Sequence, residues 1–391
     1  MTNNISARAQ QRRQRYPAII DLQKRAKQRL PLIAWEYLDM GTGDEAAVSR
    51  NRTHLNQITM LPQFFQGEQT QDLSTTLFGQ SLNVPFGCAP VGLTSLMWPQ
   101  AEQILARTAA RYNFPYCLST VATQTPETIG PLVGEVGWFQ LYPPRDAAIR
   151  SDVLKRVKDT GFKVMVVTAD VPAPSRRERT ARAGLAMPPK ITPYFVWQAL
   201  RHPAWTAATL RNGLPRLRTV ERYAGAGSIG HVSGFVAQNF GGTLSWDYLK
   251  EMRDLWDGPL VVKGILHPTD AEQAVSIGVD GVIVSNHGAR QFDGAPAAVD
   301  TLPDIAAQIK GRAVTIFDSG IRSGLDIIRA LALGADFVML GRAFLFGVAA
   351  FGDDGGNHVA DILIGELKSN MAQIGVTTID EIKQLEIYQK A

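Results

Sequence analysis

Cysteine is scarce in this chain of 391 residues, where only Cys88 and Cys117 occur. The sequence has no Cys-x-x-Cys pair and none of the Cys/His spacings typical of zinc sites. A disulfide framework and a structural zinc site are therefore excluded, and no metal is predicted. Two isolated cysteines are typical of proteins from a reducing compartment, so we expect a cytoplasmic protein.

Long hydrophobic runs and the common nucleotide-binding loops are also missing. The apolar runs at residues 337–340 and 343–351 are separated by Arg342, so none approaches the roughly 20 residues that a membrane span needs. No G-x-G-x-x-G follows a first strand, and G-x-x-x-x-G-K-[ST] does not occur. These absences argue against a nicotinamide-binding Rossmann site and against an NTPase loop.

The net charge of +4 is unevenly distributed. Residues 1–30 carry eight Lys/Arg against Asp21, and residues 171–222 carry ten against two glutamates, so the rest of the chain is acidic. Basic blocks suit an anionic surface, whether lipid, protein or nucleic acid, although such runs are commonly solvated faces. For the first 20 residues we predict a plain basic tail rather than a transit peptide, because serine is not enriched there.

From residue 84 onward, short apolar or β-branched runs alternate with helical patterns. Eight runs predict strands, at residues 84–88, 115–118, 138–141, 164–168, 260–262, 282–284, 313–317 and 337–340. Helices are predicted at residues 17–40, 99–112, 125–132, 151–160, 245–255, 268–277, 304–310 and 323–333. This alternation predicts an α/β fold, a parallel (β/α)8 TIM barrel over residues 81–375. An N-terminal helical extension with a bridging segment (1–80) and a C-terminal tail (376–391) are predicted to flank it.

Polar and glycine residues follow the predicted strands, which is where a barrel gathers its active site. In chain order they are Pro90-Val91-Gly92, Ser119-Thr120, Tyr142, Asp170, Lys263, His287 with Arg290, Asp318-Ser319-Gly320 with Arg322, and Gly341-Arg342. Strand ends need turn residues in any case, but the occurrence of such residues after all eight predicted strands favours an active site. In the run SNHGARQ at 285–291, His287 is a base that titrates near neutrality, and Arg290, three residues later, is a permanent cation whose shape fits a carboxylate. This pair predicts a small acid that is held and deprotonated.

The last two predicted strands are followed by glycine-bearing stretches, DSGIRSG at 318–324 and LGR at 340–342. Glycines let backbone N–H groups approach a phosphate, a helix N-terminus adds partial positive charge, and arginine adds paired hydrogen bonds. Barrels commonly bind phosphate at this position. The two stretches therefore predict a phosphate site.

The alternation breaks once, in an insertion after the fourth strand that covers about residues 171–244. Loops of this length are usually functional or disordered. Tyr194, Phe195, Trp197 and Trp205 lie among several arginines, a composition typical of an interfacial membrane anchor. The alternative is a lid or a subunit-contact loop whose aromatic side chains pack on the barrel. A peripheral contact with the inner face of the cytoplasmic membrane is our hypothesis, and the alternative stays open.

Three motifs together resemble the FMN-dependent α-hydroxy-acid dehydrogenase/oxidase family, which includes L-lactate dehydrogenase, mandelate dehydrogenase and glycolate oxidase. The motifs are residues 285–291, residues 318–324 and Gln140-Leu141-Tyr142. The resemblance implies an FMN enzyme that oxidises an L-2-hydroxy acid, lactate-like or mandelate-like, to the 2-oxo acid. A quinone or a cytochrome would accept the electrons; the alternative is an oxidase that uses O2 and forms hydrogen peroxide. The resemblance also implies a homotetramer.

The resemblance implies a role for each candidate residue. His287 would be the base and Asp170 would hold its ring, because a carboxylate stabilises the protonated imidazole. The substrate carboxylate would be bound by Arg290, Tyr37 and Arg177, and the substrate hydroxyl by Tyr142. Lys263 would lie at the flavin N1/O2 edge, where a fixed cation favours the reduced cofactor. The residues implied to hold the flavin and its phosphate are Pro90, Val91, Gly92, Ser119, Gln140, Thr168, Lys263, Ser285, Asp318, Gly320, Arg322, Gly341 and Arg342.

The chain departs from the family pattern at several positions. Val121 stands where glycolate oxidase has tryptophan, which implies a roomier pocket than a two-carbon acid needs. Gly92 stands where many oxidases have alanine, which favours a dehydrogenase. Thr180 and Ala183 replace the usual Asp and Asn, so the loop that carries Arg177 is expected to differ.

Two other classes of protein are alternatives. A nucleic-acid-binding protein would account for the basic insertion but would not need a His/Arg/Asp/Lys set at strand ends, so no nucleic-acid partner is predicted. An FMN barrel that uses reduced flavin for isomerisation would share the phosphate site. It would not need a carboxylate clamp of Tyr37 and Arg290.

Overall fold

Eight short parallel strands close into one barrel. The computed structural model describes residues 7–185, 192–225, 229–240 and 244–388. The barrel strands are β1 (Phe86–Cys88), β2 (Tyr116–Ser119), β3 (Gly137–Leu141), β4 (Val164–Thr168), β5 (Leu260–Ile265), β6 (Gly281–Val284), β7 (Val314–Phe317) and β8 (Phe337–Leu340). Strand β8 closes the barrel on β1, with Val338 beside Phe86. The predicted (β/α)8 fold is confirmed.

Helices follow the strands and also build the flanking segments. The helices of the barrel region are Ala101–Tyr112, Pro126–Val133, Ala147–Asp159, Trp246–Leu255, Pro268–Ser276, Ala298–Ile309, Gly324–Ala332, Arg342–Phe351 and Gly355–Ile374. Those of the N-terminal region are Ala7–Arg15, Ile19–Arg29, Leu32–Asp39 and Ala46–Gln57, and Ile379–Ile382 lies near the C-terminus. Two antiparallel ribbons pair Thr59–Met60 with Ile387–Tyr388 and Thr75–Leu77 with Gln80–Leu82. The first ribbon joins the N-terminal extension to the C-terminal segment, of which residues 389–391 lie outside the described residues.

Three predicted helices differ from the structure by more than one or two residues at their ends. The helix predicted over 17–40 is interrupted because Leu30 is extended, as expected for a residue that precedes a proline. The helix predicted to start at Asp304 begins at Ala298 and contains Pro303, since its first turns bury apolar side chains in the core. The helix predicted to start at residue 151 begins at Ala147, because the side chain of Asp146 caps it.

The prediction of a plain basic tail is wrong for residues 7–15, which form a helix. Arg12 forms an ion pair of 2.5 Å with Asp354, and Arg13 forms one of 2.7 Å with Asp361. The guanidinium of Arg12 also lies 5.0 Å from the ring centre of Phe351. Specific partners on the barrel helices therefore hold this basic helix. Residues 1–6 lie outside the described residues.

The insertion follows β4 and is largely helical where it is described. Its helices are Glu178–Arg182, Pro193–Arg201, Pro203–Asn212, Arg218–Glu221 and Ile229–Asn239; residues 186–191, 226–228 and 241–243 lie outside the described residues. The indole of Trp205 is buried and donates to the carbonyl of Leu96 at 2.9 Å. Tyr194 and Trp197, in contrast, are about half exposed. One part of the insertion thus packs on the barrel while another part presents aromatic side chains to the outside.

Two consecutive helices, Arg342–Phe351 and Gly355–Ile374, meet at glycines. A Cβ on Gly355 would lie 2.1 Å from the carbonyl oxygen of Gly347, and a Cβ on Gly347 would lie 2.5 Å from that of Gly355. No side chain fits at these distances, so glycine is what permits the approach. The approach matters for the site because the first of these helices begins directly after β8.

Gly355→Ala is expected to destabilise the protein by about 1–3 kcal/mol, because the new methyl group forces the two helices apart. Gly365→Ala, on the same helix, is the matched control, since a Cβ there meets no atom within 4 Å. The control is expected to be neutral or stabilising by up to about 1 kcal/mol. Urea unfolding followed by circular dichroism measures both variants. Equal stability of the two would contradict the close packing.

Candidate active site

The carboxyl ends of the barrel strands enclose a cavity that brings together most of the predicted site residues. Those lining it are Tyr37, Pro90, Val91, Gly92, Tyr142, Arg177, Lys263, His287, Arg290, Asp318, Gly320, Arg322, Gly341 and Arg342. They come from the N-terminal extension, from the insertion and from the carboxyl ends of six strands that are distant in sequence. The parallel barrel collects them because all its strands end at the same face.

The remaining predicted site residues lie behind the cavity wall. Asp170 is hydrogen-bonded to His287, and Ser285 lies beside Lys263. Ser119, Gln140 and Thr168 are buried and form a chain across β2, β3 and β4. In it Ser119 Oγ donates to Gln140 Oε1 and Gln140 Nε2 donates to Thr168 Oγ1, both at 2.8 Å. These polar side chains thus satisfy one another within the barrel.

His287 and Asp170 form the acid–base pair of the cavity. Nδ1 of His287 lies 2.8 Å from Oδ1 of Asp170, so the carboxylate fixes the ring and leaves Nε2 as the other titrating atom. His287 has a φ of 57°, in the left-handed region that a non-glycine residue rarely adopts, and Gly288 and Ala289 also have positive φ values. The backbone N–H of His287 is tied to Ser285 Oγ at 3.0 Å. The surrounding hydrogen bonds therefore hold a costly conformation that fixes the direction of the imidazole.

Burial keeps the imidazole of this pair neutral at neutral pH. Burial lowers the pKa of His287 below its usual value of 6.5, and the attraction of Asp170 only partly offsets that effect. Burial alone would raise the pKa of Asp170, but the charge of Lys263 and the hydrogen bond with His287 hold it below its usual value. At neutral pH the pair therefore consists of a neutral imidazole and a carboxylate, the state that can accept a proton.

Lys263 is the buried cation at the centre of the strand ends. Its side chain, at the end of β5, lies 3.5 Å from Asp318 and 3.8 Å from Asp170, and it donates to Ser285 Oγ at 3.1 Å. Burial opposes the charged form, but the two carboxylates raise the pKa of Lys263 above its usual value. Asp318 also accepts from Ser319 Oγ at 2.8 Å, whereas the following helix is capped by Ser323. Asp318 is therefore a partner of Lys263 and not the helix cap.

A second group of side chains faces the same cavity with positive charge and hydroxyl groups. Arg290 donates from Nη1 to the carbonyl of Tyr37 at 2.9 Å, and its guanidinium lies 5.1 Å from the ring centre of Tyr37. Burial lowers the pKa of Arg290, with a further contribution from Arg177. Burial raises the pKa of Tyr142 to about 12, so its hydroxyl stays protonated. This arrangement suits a small carboxylate that carries a hydroxyl group.

Two further buried arginines lie where the phosphate site was predicted. Burial lowers the pKa of Arg322 and that of Arg342, and no ion pair among the described residues includes either of them. Arg342 Nε is buried without a hydrogen-bond partner in the described part of the chain. Gly341 precedes the helix Arg342–Phe351 without a side-chain cap, and a Cβ on it would lie 3.3 Å from Val91. Two arginines without an ion pair in the described part of the chain, beside a free helix N-terminus, fit a phosphate group.

Some of the hydrogen bonds that position the site were not predicted from the sequence. Ser319 Oγ accepts from the backbone N–H groups of Asn286 and Gly288, at 3.2 and 3.1 Å, and so holds the loop that carries His287. Asn51 and Asn286 exchange two amide hydrogen bonds, of 2.9 and 2.7 Å. Ser319 lies within the DSGIRSG motif, so the sequence pointed to its position in the site. No sequence motif pointed to Asn51, because its partner Asn286 lies 235 residues away in the chain.

Comparisons with known proteins agree with this geometry. The profile of a family described as FMN-dependent dehydrogenase matches residues 26–389. An L-lactate dehydrogenase of Ectopseudomonas mendocina (strain ymp) is 39% identical over 367 residues, which cover 93% of this chain and 97% of that protein. The structure of the monotopic membrane protein (S)-mandelate dehydrogenase matches with a TM-score of 0.90 and 32% identity, over 95% of this chain and 99% of that chain. A mandelate oxidase matches with a TM-score of 0.82 and 30% identity, over 96% and 99% of the respective chains.

Arg322→Met is expected to weaken the binding of FMN, the cofactor of the matched family, by about 10- to 100-fold, because a charge-assisted contact to phosphate is lost. The FMN-free protein should instead be as stable as the wild type or more stable, since a cation is removed whose burial costs more than the nearby carboxylates offset. FMN titration by flavin fluorescence and thermal unfolding of the FMN-free protein measure the two effects. Unchanged FMN affinity in the variant would contradict a phosphate site at Arg322.

Proposed function

We propose that this chain, which belongs to the FMN-dependent dehydrogenase family, oxidises an L-2-hydroxy acid to the corresponding 2-oxo acid. The observation that carries the proposal is the meeting of two groups in one cavity. The neutral, carboxylate-held imidazole of His287 faces the same space as Arg290, Tyr37, Tyr142 and Arg177. A base beside a carboxylate-binding cation suits deprotonation of a hydroxy acid and not of an uncharged alcohol.

FMN, when bound, supplies the acceptor for the two electrons that leave the substrate. The cavity offers suitable contacts for it on two sides. Arg322, Arg342 and the helix N-terminus at Gly341 would hold the phosphate, and the backbone at residues 90–92 would contact the isoalloxazine. Lys263 would stabilise negative charge on the reduced cofactor. The polar chain of Ser119, Gln140 and Thr168 and the neighbouring Ser285, Asp318 and Gly320 complete the cofactor-binding set.

The protein's own side chains bind the acid and move its proton. Arg290 pairs with the substrate carboxylate, and Tyr37 and Arg177 complete that clamp. The hydroxyl of Tyr142 donates to the substrate hydroxyl oxygen and orients it. His287 accepts a proton at Nε2, and Asp170 stabilises the resulting imidazolium through the 2.8 Å contact with Nδ1. Each group thus has one task that its position and charge support.

For the electron acceptor we propose a quinone or a cytochrome and not O2. The L-lactate dehydrogenase relative is more similar in sequence, at 39% identity, than the mandelate oxidase structure, at 30%. The sequence also has Gly92 where many oxidases have alanine. Lactate-like or mandelate-like acids fit the space left by Val121 better than glycolate does. A homotetramer, implied by the family resemblance, belongs to the same proposal.

Anaerobic addition of L-lactate or L-mandelate is expected to bleach the flavin absorbance of the purified protein, and glycolate should act more weakly. His287→Gln should retain FMN but lose about 10²- to 10⁴-fold in the rate of bleaching, because the base is removed. Slow recovery of the colour in air supports a dehydrogenase, whereas rapid recovery with peroxide formation supports the oxidase. Stopped-flow absorbance measures the rates.

The pH dependence of the reaction provides the control for this assignment. The base must be neutral, so kcat/KM is expected to fall as the pH decreases through the pKa of His287, which lies below 6.5. Normal bleaching by His287→Gln, or no bleaching of the wild type by any hydroxy acid, would overturn the proposed function.

The proposal includes peripheral attachment to the inner face of the cytoplasmic membrane. Among the described residues, no helix combines the length and the apolar character that crossing a bilayer requires. The helix Pro193–Arg201 exposes Tyr194, Trp197 and Leu200, and the guanidinium of Arg201 lies 4.8 Å from the ring centre of Trp197. Leu210, on the next helix, is 80% exposed. Exposed aromatic and aliphatic side chains beside arginine suit the interface of an anionic bilayer.

A Trp197→Ser/Leu200→Ser double variant is expected to bind anionic phospholipid vesicles at least about tenfold more weakly than the wild type, because two exposed apolar side chains are lost. The matched control, Phe64→Ser/Phe65→Ser, removes two exposed apolar side chains outside the insertion. Flotation with anionic and with zwitterionic vesicles measures binding. A wild type that remains unbound at low salt, or equal binding by both double variants, would contradict the assignment.

A further inference from the structure

The segment at residues 37–45, called here the carbonyl turn, contacts two of the arginines that line the cavity. Arg290 Nη1 donates to the carbonyls of Tyr37 and Met40, at 2.9 and 3.2 Å. Arg342 Nη2 donates to the same Met40 carbonyl at 2.7 Å. The backbone N–H of Thr42 donates to the carbonyl of Ala289 at 3.1 Å. The position of the carbonyl turn therefore sets the position of both guanidinium groups.

The insertion holds the other side of the carbonyl turn through consecutive residues. Arg179 forms ion pairs with three carboxylates: a short contact with Glu36, one of 3.4 Å with Asp39 and one of 3.0 Å with Glu45. Next to it in the chain, Glu178 accepts from the backbone N–H of Gly43 at 3.0 Å. About three quarters of the side chain of Arg179 is buried, so water screens these pairs less than it screens surface pairs.

The charge balance at Arg179 is unusual because one cation faces three carboxylates. Without Arg179, Glu36, Asp39 and Glu45 would repel one another across the carbonyl turn. Asp39 and Glu45 also act on Arg342, whose pKa burial lowers and these two carboxylates partly restore. Loss of Arg179 would therefore both loosen the carbonyl turn and draw a cavity-lining arginine toward the freed carboxylates.

Arg179 is also linked to the cavity through its own chain. Arg177 lines the cavity and is the residue that precedes the short helix Glu178–Arg182, with a φ of 49°. The contacts of Glu178 and Arg179 dock this helix on the carbonyl turn. Arg177, Tyr37 and Arg290 are thus brought to one cavity by contacts that converge on Arg179.

From these contacts we infer that Arg179 is a positioning residue for acid recognition, acting through the carbonyl turn and the helix Glu178–Arg182. This inference rests on the proposed function, because it takes Arg290, Tyr37 and Arg177 as the groups that bind the substrate carboxylate. Arg179 itself does not line the cavity. Its removal affects how tightly an acid binds and leaves the proton transfer at His287 in place.

Arg179→Met tests the inference in the FMN-bound protein. The dissociation constant for oxalate, a dicarboxylate with no hydrogen to lose, and the KM for the hydroxy acid are expected to rise about tenfold or more. The rate of flavin bleaching at saturating substrate should change by less than about threefold, since chemistry after binding is unaffected. Oxalate binding is followed by the change in flavin absorbance, and FMN content and thermal unfolding are measured on the same samples.

Arg182→Met is the matched control, because Arg182 is an exposed arginine on the same helix and its loss changes the net charge equally. It should bind oxalate as the wild type does. Arg179→Lys, which keeps one cation among the carboxylates, should recover part of the affinity that Arg179→Met loses. If Arg179→Met fails to fold, Arg179→Lys and Glu45→Gln test the inference instead. Each variant should bind oxalate more weakly than the wild type while its FMN content stays normal.

The two proposals fail in different ways. If no hydroxy acid bleaches the wild type, the proposed function fails whatever Arg179 does. If the wild type is bleached but the Arg179 variants bind oxalate within about twofold of Arg182→Met, only the inference about Arg179 is overturned. A fall in the saturating rate with unchanged oxalate affinity would also overturn it, since that result places Arg179 in the chemical step.

Discussion

Buried positive charge at the carboxyl ends of the barrel strands is the constraint on which the site depends. The cations concerned are Lys263, Arg290, Arg322 and Arg342. A buried charge is costly unless an opposite charge or hydrogen bonds compensate it. The protein provides Asp170 and Asp318 for the lysine but only backbone carbonyls for much of the arginine hydrogen bonding. A fold that holds Arg290, Arg322 and Arg342 without ion pairs among the described residues is preorganised for anionic ligands, and the phosphate of FMN and a substrate carboxylate are ligands of that kind.

The same charge distribution sets the protonation state of the proposed base. A histidine beside a single carboxylate would tend to be protonated at neutral pH, but His287 is also buried and feels the nearby charge of Lys263. These effects together leave the imidazole neutral and Asp170 ionised. Lys263 therefore bears on two parts of the proposed reaction. It would stabilise negative charge on the reduced cofactor, and its charge lowers the pKa of His287 and so disfavours protonation of the base before the reaction.

The insertion after β4 connects the site to other parts of the molecule. Its first residues, Arg177 to Arg179, reach both the cavity and the N-terminal extension. Its later helices dock through buried groups such as Trp205 and still expose Trp197 and Leu200. Trp205 thus packs on the barrel, whereas Trp197 and Leu200 are available for the proposed membrane contact. A segment that contributes to acid binding at one end and offers an interfacial surface at the other would place the active site close to a membrane-bound acceptor.

The sequence by itself determined the barrel and most members of its cavity. Strands buried on both faces must be short apolar runs, so the strands could be recognised from the sequence. A parallel barrel places the carboxyl ends of all its strands at one face. Residues such as Lys263, His287 and Arg342 could therefore be assigned to a common site from their positions at the strand ends. Only the tertiary structure decided how these groups act on one another. The pairing of Asp170 with His287 spans 117 residues and that of Arg179 with Glu36 spans 143, distances at which no local pattern exists. The lowered pKa values of His287 and Arg322 depend on burial and on charges that are distant in the sequence, and both arise only when the chain is folded.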